Sequence, residues 1–186
     1  MSHHVYTEVY GSIAPRVTGS ISTISSLLII VVIFRSSVKL SSIYHRIMFG
    51  MSIGDILASI AMALTSVPMP SDNWTVQYTL GFSDLPTYGN TATCTAQGFF
   101  WTFGTILTYG YNMSLCAYYV FAIAFMMKDE IIERKLEPRL LHGSPIIVAL
   151  LFSTPPLFVG MYNPSGGSSW CTISKFKSTS GRRVLC

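Results

Sequence analysis

The chain has 186 residues, of which 50% are hydrophobic and 11% charged, with a formal net charge of +4. A soluble domain carries about 25% charged residues, so this composition excludes a surface kept in water in the ordinary way. The excess of positive charge is small and lies beside the apolar segments, so nucleic acid is not an expected partner.

The charges are clustered. Eighteen uncharged residues separate Arg16 from Arg35, and only Asp55, Asp72 and Asp84 are charged between Arg46 and Lys128. A membrane span needs about 20 mostly apolar residues to cross a hydrocarbon core of about 30 Å. That length predicts an all-α membrane protein with four transmembrane helices over about 17–34, 47–69, 96–127 and 145–162. Residues 1–16 then form an N-terminal tail, 17–162 a transmembrane helical bundle, and 163–186 a loop and C-terminal tail. The tail is polar and shows no signal-peptide pattern. His3 and His4 read as solvated residues.

The second span carries Asp55. Its eight Ile, Leu, Phe and Val residues each favour insertion by about 0.3–0.6 kcal/mol, which nearly cancels the cost of about 3 kcal/mol for a central carboxylate. Such a span holds in a bundle whose polar interior receives the Asp. Ser52, Asp55, Ser59 and Ser66 follow one helical side. In the third span Gln97, Thr105, Thr108, Asn112, Cys116 and Tyr119 form a similar stripe, and the first span offers Gly19, Ser22, Thr23 and Ser26. The Ser and Thr residues read as packing surface, since small side chains let helices approach closely. Asp55, with Ser52, Ser59 and Asn112 around it, is the candidate intramembrane ion or water site. In the fourth span, Ser153-Thr154-Pro155-Pro156 predicts a kink or an unwound turn, because proline removes a backbone donor.

Lys and Arg mark cytoplasmic loops. Arg35, Lys39 and Arg46 follow the first span, and Lys128, Arg134, Lys135 and Arg139 follow the third. The N-terminus is therefore expected outside, in a plasma-membrane location, although Lys175, Lys177, Arg182 and Arg183 run against the count. The sequon Asn73-Trp74-Thr75 falls in the predicted outer loop and is a glycosylation candidate; a second, at Asn112, lies inside a span. Of the cysteines, Cys94 and Cys171 fall on the oxidising side, where a disulfide persists. Their pairing is favoured, with Cys94–Cys186 or no bridge as the alternatives. The loop Lys128–His142 reads as a solvated helical extension of the third span.

No metal-spaced His cluster, glycine-rich phosphate loop or nucleophile–base pair occurs, so neither an enzyme nor a cofactor is expected, nor a metal. Membrane lipid is the expected partner.

Met51-Ser52-Ile53-Gly54-Asp55-Ile56-Leu57-Ala58-Ser59 resembles the second helix of rhodopsin-like G-protein-coupled receptors. Cys94 at the entry to the third span resembles the receptor cysteine that bridges to the second extracellular loop, where Cys171 falls. Cys94-Thr95-Ala96-Gln97-Gly98-Phe99-Phe100 and Trp170-Cys171-Thr172-Ile173 are similar to patterns of the cyclic-AMP-receptor-like and glucose-receptor-like branch. The resemblance covers about residues 17–174 and implies the first four helices of a seven-helix receptor. It also implies an extracellular ligand and, in the full-length form, a heterotrimeric G protein as partner. Two departures limit it. Where rhodopsin-like receptors have Asp-Arg-Tyr at the cytoplasmic end of the third helix, this chain has Tyr118-Tyr119-Val120; the cyclic-AMP-receptor-like branch also lacks that triad. The chain also stops after four predicted spans. The alternatives are a self-contained four-span scaffold or junction protein, and a transporter fragment.

Overall fold

In a computed structural model the described residues are 13–70, 87–164 and 169–174. Asn73, Cys186 and the basic tail from Lys175 lie outside them.

Four helices dominate. α1, Ala14–Arg35, begins with a proline in its first turn, where the missing N–H costs nothing, and ends on a basic residue that suits the helix dipole. α2 is Ile43–Ala63 and α3 is Thr91–Tyr119. α4, Gly143–Phe158, leads into a small antiparallel hairpin, β1 Tyr162–Pro164 and β2 Cys171–Ile173. Between α3 and α4 the chain forms a π-helical turn at Val120–Ala124, a short turn at Asp129–Ile131 and a π-helix at Ile132–Leu141. Three segments are long and apolar enough to cross a membrane: Ala14–Arg35, Ile43–Ala63 and Asp129–Phe158, with mean hydropathies of 2.2, 1.4 and 1.4. α3 is not among them, although its 29 residues extend about 43 Å at 1.5 Å per residue.

The expected boundaries shift, and the third helix also ends early, at Tyr119 rather than near Met127, where the π-helical turn takes over. The second helix ends at Ala63 rather than near Met69, because Thr65 takes a left-handed conformation (φ 45°) and prolines follow at 68 and 70. The third begins at Thr91 rather than Ala96, because Asn90 caps it: the Asn90 side chain accepts from Thr93 N, and Asn90 N donates to Thr93 Oγ1. The fourth runs on through Pro155 and Pro156 to Phe158 instead of unwinding at the prolines. The loop Lys128–His142 departs further from expectation. It is not a solvated extension of α3, since Ile132, Glu137 and Leu141 are buried against the bundle.

α2 and α3 form the central pair, with α1 on α2 and α4 on α3. Small residues set the spacing. A Cβ on Gly104 would lie 2.6 Å from Gly54 O and 2.7 Å from Ala58 N, and one on Gly54 would lie 3.0 Å from Thr108 N. These three neighbours are backbone atoms, which cannot step aside as a flexible side chain can. One end of the bundle holds the cluster Met69, Cys94 and Cys171; the other holds Ile43, Ile47, Leu107, Tyr111, Ile132, Leu141 and Ala149.

Gly104→Leu should therefore cost about 1–3 kcal/mol, the usual penalty of overpacking, read as a lowered thermal midpoint in detergent micelles. An unchanged midpoint would mean that α2 and α3 do not meet at this point.

Candidate functional site

Three polar constellations stand along the bundle, and each joins elements that are distant in sequence. The central one is Asp55. Ser22 Oγ donates to Asp55 Oδ2 at 2.8 Å and Ser26 Oγ donates to the same oxygen at 2.6 Å. The two serines are one helical turn apart on α1, so both hydroxyls reach one carboxylate. The arrangement ties Asp55 of α2 to the neighbouring helix α1.

The residues expected around Asp55 are arranged differently. Ser52 is buried, but its hydroxyl donates to Met48 O in its own helix. Ser59 is buried, and its carbonyl oxygen lies where a Cβ on Gly19 would come within 2.7 Å. Asn112 does not join Asp55 at all: it sits on an exposed face of α3 between Tyr109 and Met113, two exposed neighbours. The α3 stripe fails as a single inward face because it drifts around the helix over its length, leaving Gln97 inside and Asn112, Cys116 and Tyr119 outside. The partners that do meet Asp55, Ser22 and Ser26, read in the sequence as packing residues. Their spacing of four was the available signal.

The second constellation lies at the end of the bundle marked by the cysteines. Cys94 and Cys171 form a disulfide with Cα atoms 5.4 Å apart. Beside it Gln97 is buried and uses both ends of its amide. Nε2 donates to Ala61 O at 2.9 Å and Thr65 O at 2.7 Å, while Oε1 accepts from Cys171 N at 3.1 Å. The two carbonyls belong to the C-terminal end of α2 and the turn after it, where no further helical N–H would satisfy them. Gln97 thus fastens the end of α2 and strand β2 to α3. Tyr162 completes this end, buried over Gly98 with its hydroxyl donating to Ser153 O at 2.8 Å. A mainly apolar cavity of about 590 Å³ opens beside Gln97, with Leu57, Ile60, Leu64, Tyr88 and Phe100 in its wall.

The third constellation was not expected from the sequence. Arg46, in the first turn of α2, donates from Nε to Glu137 Oε1 at 2.5 Å and from Nη2 to Glu137 Oε2 at 2.8 Å and Glu133 Oε1 at 2.7 Å. Its Nη1 donates to Leu40 O at 3.2 Å. His142 Nε2 lies 3.3 Å from Glu137 Oε1, and its Nδ1 is 3.2 Å from the Tyr111 hydroxyl on α3. A two-pronged guanidinium–carboxylate contact is the strongest geometry such a pair has. Here it pins the π-helix to α2, and His142 carries the network on to Tyr111 of α3. Tyr118 adds a bond from its hydroxyl to Asp129 Oδ1 at 3.3 Å, while Tyr119 is exposed.

Among the described residues no group of three or more His, Cys, Asp or Glu side chains could hold a metal ion. No family model matches the chain, and no characterised protein or solved structure is similar enough to count as a match.

Two outcomes follow from this geometry. Arg46→Ala leaves Glu137 buried without its partner, and should destabilise the protein by about 3 kcal/mol, near the lower bound for breaking a buried pair because Arg46 is partly exposed. Adding Glu137→Gln should recover part of that loss in the same denaturation assay; a double variant no more stable than Arg46→Ala would disprove the pairing. Gln97→Ala strands two carbonyls and an N–H, each worth about 1–3 kcal/mol when buried and unmet. Hydrogen exchange at the Cys171 amide should then rise; an unchanged rate would remove Gln97 from the loop's anchorage.

Proposed function

We propose that the chain forms the first four helices of a seven-helix receptor of the G-protein-coupled superfamily, closest to its cyclic-AMP-receptor-like and glucose-receptor-like branch. In this reading α3 is a fourth membrane crossing beside the three more apolar segments. The N-terminal tail and the β1–β2 hairpin lie outside the plasma membrane, and the Arg46 clamp lies inside. Asn73 then falls outside and carries a glycan.

The observation that carries the reading is the tether between Cys94 at the entry to α3 and Cys171 in the strand after α4. It supports a receptor because it fixes an outer loop across the mouth of the bundle, next to an apolar cavity that could take a small ligand. Asp55 supports it in a second way. A carboxylate inside a bundle, bonded to a neighbouring helix, can hold one helix arrangement in preference to another. A ligand that binds one arrangement better shifts the population toward it, and the opposite end of the helices presents that change to a G protein.

The test uses the full gene product in cells, challenged with cyclic nucleotides and sugars and read by G-protein activation. Asp55→Asn should change the ligand concentration for half response by about fivefold or more, the usual scale of site-to-site coupling, with surface expression retained. Equal loss of expression and response would assign Asp55 a structural role only. In the same cells Asn73→Gln should remove a glycosidase-sensitive shift in mobility. If the unsubstituted protein carries no glycan, the proposed orientation loses its support.

A further inference from the structure

The loop between α3 and α4 sorts its charges by sign. Within the π-helix Ile132–Leu141, residues five and four apart share a face, so Ile132, Glu137 and Leu141 are buried together. Glu137 and Glu133 are drawn in by Arg46. Asp129, just before the π-helix, is held by Tyr118. Three of the loop's acidic groups are thereby engaged, leaving Glu130 exposed. The basic residues are turned the other way: Arg134, Lys135 and Arg139, also five and four apart, are all exposed, and no ion pair engages them among the described residues. Two apolar side chains accompany them, Ile131 at 43% and Leu140 at 42% exposure. Arg35 and Lys39 stand exposed at the same end of the bundle, where α1 gives way to α2.

We propose that this outward face is a docking surface for anionic phospholipid headgroups of the membrane in which the helices sit, with Arg134, Lys135 and Arg139 meeting the headgroups and Ile131 and Leu140 entering the boundary beneath them. The complementarity is one of charge and position together. The loop continues directly into α4, so its residues lie within a turn or two of the hydrocarbon edge. A basic, partly apolar helical face at that depth lies in the interface rather than in free water. Each basic residue near an anionic bilayer surface strengthens association about fivefold. Arg46 has a part in this although it faces inward. By pairing with Glu133 and Glu137 it offsets one of their two negative charges and keeps both carboxylates on its own side of the helix. The proposal rests on membrane insertion and on the loop's geometry, and stands or falls apart from the receptor reading.

The full chain, reconstituted in phosphatidylcholine vesicles with and without phosphatidylserine, tests it by hydrogen exchange over residues 129–141. In the anionic vesicles exchange in this segment should slow by about tenfold, and raised salt should abolish the difference as the surface charge is screened. The variant Arg134→Gln/Lys135→Gln/Arg139→Gln should show no lipid dependence while keeping the Cys94–Cys171 bridge. Equal exchange of the unsubstituted chain in both bilayers, the outcome expected if this face serves an acidic protein instead, overturns the proposal. So does protection that survives high salt. The salt titration uses the unsubstituted protein and does not depend on the variant's folding.

Discussion

The distance between α2 and α3 is set where Gly54 and Gly104 meet, and the polar contacts at both ends of the bundle depend on it. With no side chain on either glycine the two backbones come within contact distance at mid-helix. That places Gln97, two turns toward one end of α3, within reach of the last carbonyls of α2. At the other end the packed helices form a floor on which Ile132 and Leu141 rest, bringing Glu137 to Arg46. A wider spacing would leave the Gln97 amide and the α2 carbonyls facing a region without water, where each unmet group is costly. Close packing and polar satisfaction are here a single requirement.

The distribution of charge follows the same logic. The Lys, Arg, Asp and Glu side chains of α1–α4 lie near the helix ends, with Asp55 the exception, and that carboxyl group is met by hydroxyls from a second helix. Serine is suited to this partnership. It is small enough to sit in a close helix contact, and its hydroxyl can otherwise fold back on its own helix, as Ser20, Ser25 and Ser52 do. The α1–α2 contact is thus held by a bond that exists only while Asp55 faces α1. A rotation of either helix would return the hydroxyls to their own backbones but strip the carboxyl group of its donors, so the pair of bonds holds α1 and α2 in one register.

Much of this was legible in the sequence, and the failures have physical causes. α1 and α4 emerged within a few residues because long apolar runs decide them. The Cys94–Cys171 pair followed from placing both cysteines on one side of the membrane. The start of α3 was placed late because a hydropathy criterion passes over Thr91-Ala92-Thr93-Cys94-Thr95, whereas the Asn90 and Thr93 capping pair, a local signal, fixes it. The Arg46 clamp was missed for a different reason. Its buried positions recur at five and four residues, a π-helical spacing that an α-helical periodicity does not detect. Arg46, counted only as a topological charge, gave no sign of a partner 91 residues away.

Asn112 separates the helices by what their free faces are made of. The exposed side of α1 is Ile24, Leu28 and Val32, and that of α4 is Ile147, Leu151 and Phe152, surfaces that hydrocarbon accepts at no cost. The exposed side of α3 includes Tyr109, Asn112 and Cys116. A carboxamide facing acyl chains has donors and acceptors that lipid cannot meet, so this face is built for protein or for a water-lined cavity. α1 and α4 are therefore suited to the outside of a bundle and α3 to its interior. In a row of four helices with α2 and α3 at the centre, this side of α3 is where the packing of the described residues leaves a polar side chain uncovered.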